Sequence, residues 1–108
     1  MKLYIGGAWQ GQEELARREN PGMEVLTDLQ DRIRSAMDAG MSPEEAAASL
    51  LAEHGEAALC AEEIGCGVSP LKREERLWRE QYGRTLCALA QKAESVTRVF
   101  CGLGMKIR

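Results

Sequence analysis

The chain has little of what would mark several common classes of protein. Its single histidine, His54, and its four cysteines, Cys60, Cys66, Cys87 and Cys101, form no C-x-x-C pair and no zinc-finger spacing, so a structural metal site has no support in the sequence. Unpaired thiols fit a reducing compartment, and the expectation is a cytoplasmic protein with Cys60, Cys87 and Cys101 in buried elements, where a thiol acts as a small apolar group. No apolar run approaches the roughly 20 residues of a membrane span. The opening Met1-Lys2-Leu3-Tyr4-Ile5 meets glycines too soon for an export signal. Nor is positive charge in excess: 14 Lys and Arg against 17 Asp and Glu give a net charge of −3, which argues against nucleic acid as the main partner. No segment repeats.

What is present is an ordinary globular balance, with 44% hydrophobic and 29% charged residues. A length of 108 residues predicts one domain, residues 1–108, with a single core. Strands are expected at Lys2–Ile5, Glu24–Thr27, Ala57–Glu62 and Val96–Cys101, and helices at Gln12–Arg18, Leu29–Ala39, Pro43–His54 and Leu71–Glu94. Asn20-Pro21-Gly22 is a turn. Ser42, Pro43 and Glu45 form a helix start, with cap, first-turn proline and capping-box acid in register. Strands alternating with helices predict an α/β fold of three layers around a mainly parallel sheet of about four strands.

The first strand runs into Gly6-Gly7-Ala8-Trp9-Gln10-Gly11-Gln12-Glu13 and then a helix. Strand, glycine loop, helix is the architecture of a phosphate loop, and Gly6 and Gly11 fit G-x-x-x-x-G. Such loops wrap phosphate in backbone N–H groups at a helix N-terminus, with a Lys for charge and a Ser or Thr for magnesium. Here Gln12 occupies the Lys position and Glu13 the Ser/Thr position. Two like charges about 4 Å apart repel by about 4 kcal/mol at an effective dielectric near 20. A helix N-terminus returns only about 0.3–1 kcal/mol to an anion. The loop therefore reads either as a weak anion nest (Gly6, Gly7, Gly11, Gln12, Glu13) or as a plain strand-to-helix turn.

On the long final helix, Trp78, Tyr82, Leu86, Leu89 and Ala93 make an apolar stripe, with Lys72, Arg76, Arg79 and Gly83 on a neighbouring one. Gly83 costs about 1 kcal/mol against Ala inside a helix, so a close approach by backbone or ligand is expected beside it. Arg76 and Arg79 suit forked recognition of phosphate; the alternative is structural pairing with Glu75, Glu80 or Glu63. Asp28 follows an apolar strand and reads as a helix cap or a magnesium ligand.

The string Glu63-Ile64-Gly65-Cys66-Gly67-Val68-Ser69-Pro70, then Arg76, Trp78-Arg79-Glu80 and Gly83-Arg84, resembles the signature of the adenosylcobinamide kinase / adenosylcobinamide-phosphate guanylyltransferase family, which assembles the nucleotide loop of cobalamin. Val96 to Val99 and Gly102-Leu103-Gly104-Met105-Lys106 resemble that family's last strand and close. The resemblance covers Ala57 to Arg108 well and the first dozen residues weakly; Glu62, Ser69, Leu86 and Gly104 depart from its pattern. It implies a trimmed P-loop NTPase-like domain and a cleft holding GTP or ATP with magnesium. In that cleft Asp28 would be the metal ligand, and Glu63, Gly65, Gly67, Arg76 and Arg79 would touch nucleotide. The family's second strand, with the histidine that carries the guanylyl group, has no counterpart between the glycine loop and Asp28; His54 lies outside that motif and reads as a surface residue at a helix end.

Together these residues predict a degenerate family member with lost or reduced nucleotide-dependent catalysis, acting in binding or as a partner subunit. An active transferase with a non-standard phosphate loop and a structural scaffold are the alternatives. Any anion site is expected at Arg76, Arg79, Gly83 and the Gly65–Gly67 loop. A sheet with few covering helices predicts a homo-oligomer; a corrinoid or nucleotide is the expected small-molecule partner, with no membrane contact.

Overall fold

The structure, a computed structural model, describes residues 1–64 and 72–108. In chain order its elements are β1 (Lys2–Gly6), α1 (Gln12–Glu19), β2 (Val25–Leu26), α2 (Leu29–Asp38), α3 (Pro43–His54), β3 (Ala58–Glu62), α4 (Arg73–Lys92), β4 (Ser95–Phe100) and β5 (Leu103–Lys106). The strands form one sheet in the order β2-β3-β1-β4-β5. β1 to β4 are parallel, and β5 returns antiparallel against β4. The four expected strands are therefore joined by a fifth. Its turn is two residues long, Cys101 at φ 52° and Gly102 at φ 77°. Both are positive, the twist-matched geometry of a tight hairpin.

The parallel strands are joined by helical crossovers. α1 carries the chain from β1 past β3 to β2 and packs on one face, where Leu15 and Ala16 bury against Tyr4, Ala58, Cys60 and Val99. α2, α3 and α4 cover the other face over Leu3, Leu59, Ala61 and Val96. This is the three-layer sandwich. α3 starts as its sequence dictates: the Ser42 hydroxyl accepts from the Glu45 N–H at 3.1 Å and the Glu45 carboxylate accepts from the Ser42 N–H at 3.0 Å.

The expected α4 stripe is buried throughout: Trp78, Tyr82, Leu86, Leu89 and Ala93 all join the core. Trp78 stacks obliquely on Tyr82 with ring centres 5.3 Å apart, and the Arg34 guanidinium of α2 lies 4.2 Å from the Trp78 ring centre, a cation–π contact between helices. Among the described residues no backbone closes on Gly83: a Cβ there would meet nothing within 4 Å.

Two cysteine expectations are corrected as well. Cys60 is buried, but Cys87 and Cys101 are exposed, because one faces outward from α4 and the other sits at the hairpin tip. His54 is not a surface cap. Its side chain is 13% exposed and its Nδ1 lies 2.8 Å from Glu24 Oε1, tying the end of α3 to the approach to β2. Cys66 and the Gly65–Gly67 loop lie outside the described residues.

Candidate functional site

In an open parallel sheet, ligands sit beyond the strand C-termini where the connections leave for opposite faces. Here that switch falls between β1, whose chain turns to the α1 face, and its neighbour β3, whose chain goes to α4. A cleft of about 530 Å³ opens at this point, lined by the glycine loop, the end of β3 and the start of α2.

The glycine loop forms the floor. Gly11 caps α1 at φ 91° without a side-chain bond, and Trp9 is fully exposed at a positive φ of 61°, a conformation rare for bulky residues. The loop is tied to the β4–β5 hairpin: the Gln10 carbonyl accepts from the Gly102 N–H at 2.7 Å and its side-chain oxygen accepts from the Cys101 N–H at 2.8 Å. Gly6 allows the tight entry. A Cβ there would lie 2.5 Å from the Val99 carbonyl oxygen and 3.0 Å from Gln12 Nε2.

Gln12 carries no charge and spends its amide on the backbone. Its amide Nε2 donates to the Gly7 carbonyl at 3.0 Å and to the Ala61 carbonyl at 3.2 Å. A neutral side chain thus closes the loop onto β3. Around it the cleft wall carries Glu13, Glu14, Asp28, Asp31 and Glu62 and, among the described residues, no Lys or Arg. Glu13 is partly offset by Arg17, 2.9 Å away. Asp28 sits at the N-cap position of α2 with no side-chain cap bond. It accepts instead from Arg32 Nε at 2.8 Å, and that guanidinium holds its carboxyl below the ordinary range. Cys60, beneath the loop, has its thiol pushed up to about 11 by burial, with Glu13 adding to the effect. Tyr82 reaches from α4 to donate to the Glu62 carbonyl at 2.8 Å, which fixes the end of β3.

The other expected site residues fall elsewhere. Glu63 extends the β1–β3 pairing by donating its N–H to the Gly6 carbonyl at 2.9 Å. Its carboxylate accepts from Arg98 Nη1 at 3.1 Å, so that Glu62, and not Glu63, lines the cleft. Neither Arg76 nor Arg79 lines it; Arg79 borders a shallow groove with Gly83, Arg84 and Glu44 between α3 and α4. The structure therefore separates the glycine loop from Arg79. Glu14, Asp31 and Glu62 were not anticipated as a group. The helical period of α1 and α2 and the end of the β3 run were the available signals. Among the described residues no three Asp, Glu, His or Cys groups come together as a metal site.

Among the described residues the loop supplies no cation: the Gln12 amide is bonded to Gly7 and Ala61, and carboxylates line the wall.

An α/β sandwich with a glycine loop at the switch point defines the P-loop-like class. The chain belongs to the cobinamide kinase / cobinamide phosphate guanyltransferase family, whose sequence pattern matches residues 9–107. No curated protein matches the chain significantly. Among the described residues no helix is long and apolar enough to cross a membrane.

Proposed function

We propose that this chain is a family member that has lost nucleotide-dependent catalysis and serves cobalamin assembly in the cytoplasm by binding a corrinoid or an assembly partner. The observation that carries this reading is Gln12: where phosphate chemistry needs a lysine, its amide is spent on Gly7 and Ala61. The carboxylates of the cleft support it. The test is incubation with labelled GTP or ATP and adenosylcobinamide, alongside a corrinoid absorbance titration. No label transfer with a spectral shift is the expected result; transfer by the isolated protein overturns the reading.

A second reading is favoured by family membership and by the placement of Asp28 at the cleft. In it the chain is an active transferase to which a partner subunit brings the missing cation, with GTP or ATP as co-substrate and Asp28 toward magnesium. Label transfer that needs a second protein would mark this case. Neither transfer nor corrinoid binding would leave a scaffold role.

A further inference from the structure

The chain's single histidine, His54, lies at the end of α3 in contact with groups from two other parts of the fold. Its Nδ1 is 2.8 Å from Glu24 Oε1, just ahead of β2. Its Nε2 is 3.3 Å from Arg32 Nη1 of α2. Arg32 in turn donates from Nε to Asp28 Oδ1 at 2.8 Å, and Asp28 lines the cleft. Glu24, His54, Arg32 and Asp28 therefore form one continuous polar chain. It runs from the approach to β2 through the end of α3 to the first turn of α2.

The partners assign the proton. A guanidinium has donors only, and an ionised carboxylate has acceptors only. Nδ1 must therefore carry the hydrogen that goes to Glu24, and Nε2 must offer its lone pair to Arg32. In this arrangement the ring is neutral. A second acid waits beside it: Glu53 Oε2 stands 3.7 Å from Nε2, beyond hydrogen-bond distance.

We propose that His54 is a proton-operated latch between α2 and α3, which holds Arg32 when neutral and exchanges it for Glu53 when protonated. Protonation places a hydrogen on Nε2, where it confronts the Arg32 N–H, donor against donor and cation against cation. Glu53 needs to close only the short remaining gap to accept that hydrogen. Glu24 accepts from Nδ1 in both states, so the ring keeps its seat and only one contact changes.

The charges around the ring suit such an exchange. Glu24, Glu53 and Glu56 border the groove on one side of it. On the other side Asp28, Asp31, Arg32 and Glu53 line a second groove of about 550 Å³ between α2 and α3, which gives Arg32 room to move. After Arg32 itself, charge on His54 is among the causes that hold the Asp28 carboxyl below its ordinary range, so the proton is felt at the cleft. Release of Arg32 cuts a tie between α3 and the helix whose first turn carries the cleft acids Asp28 and Asp31. The latch does not depend on what the cleft binds.

The experiment is an NMR titration of the isotopically labelled full chain between about pH 5 and 8, where an imidazole ordinarily changes charge and carboxylates ordinarily do not. At the basic end the His54 nitrogen shifts should report the proton on Nδ1. As the ring takes up its second proton, the Arg32 side-chain N–H signals and the Asp28 and Glu53 carboxyl carbons should shift with the same midpoint as the ring. Amide hydrogen exchange in α2, referred to the intrinsic rate at each pH, should accelerate on the acid side. In His54→Gln, which does not titrate, all these steps should be lost. A proton on Nε2 at the basic end, a ring of constant charge across the range, or Arg32 signals indifferent to the ring overturns the proposal. So do steps that persist in His54→Gln. Wild type alone supplies the tautomer and the shared midpoint, so a variant that fails to fold still leaves a decisive result.

Discussion

Gly6 and Gly7 stand side by side in the same loop, yet alanine should act on them very differently. At Gly6 the added methyl lies 2.5 Å from the Val99 carbonyl oxygen and 3.0 Å from Gln12 Nε2, whereas at Gly7 the nearest atom is Gln10 Cγ at 3.8 Å. The Val99 oxygen belongs to β4, paired in register with β1, so it cannot swing aside like a flexible side chain. Forcing extra volume into packed structure costs about 1–3 kcal/mol. Displacing Gln12 forfeits two hydrogen bonds worth about 0.5–1.5 kcal/mol each. The sum for Gly6→Ala is about 2–6 kcal/mol, against about 0.5 kcal/mol or less for Gly7→Ala, an ordinary surface change. Urea unfolding followed by circular dichroism resolves the two, since m is about 1–3 kcal/mol/M: the midpoint of Gly6→Ala should fall by about 1 M or more. Equal midpoints for the two variants would refute the packing account of the loop.

Further outcomes follow from buried groups. Burial holds the Cys60 thiol neutral up to about 11 from an ordinary 9.0, so the unfolded chain ionises first. The stability this group contributes is whole below pH 9 and is lost between pH 9 and about 11, amounting to about 2–3 kcal/mol. Cys60→Ser should reduce the slope of that part of a stability–pH curve, while Tyr82, raised to about 12 from 10.0, keeps a residual slope between pH 10 and about 12. Tyr82→Phe removes the bond to the Glu62 carbonyl and should cost about 0.5–1.5 kcal/mol, read by thermal denaturation. In native protein a thiol reagent at pH 8 should label Cys87 and Cys101, which are exposed, well before buried Cys60; equal rates would contradict the burial pattern.

Much of the fold was legible because local signals agreed with the global answer. Ser42, Pro43 and Glu45 wrote the start of α3 in full, and the apolar stripe from Trp78 to Ala93 wrote the buried face of α4. β5 escaped because Leu103-Gly104-Met105-Lys106 is short and contains a glycine. The Cys101-Gly102 pair carried the hairpin signal, but as a two-residue turn whose first member is not Asn, Asp or Gly.

In the site, the glycine loop was legible because its spacing is local. That Gln12 folds back onto Ala61, and that Glu14, Asp31 and Glu62 line one cleft with Asp28, depends on how β1, β2 and β3 lie in the sheet. Sequence separation hides this. For Gly83, propensity alone cannot say whether a helical glycine meets a backbone, a ligand or open solvent. Arg76 and Arg79 matched a motif whose Gly65–Gly67 part lies outside the described residues.

On the proposed reading, Gln12 and Glu13 deny this loop a triphosphate. Calorimetric titration of magnesium–GTP into wild type and into the Gln12→Lys, Glu13→Ser double variant tests it most directly. The account predicts no saturable heat with wild type and measurable binding once the cation and hydroxyl are supplied. Tight binding by wild type that is abolished by altering the Gly6–Gly11 loop would contradict it.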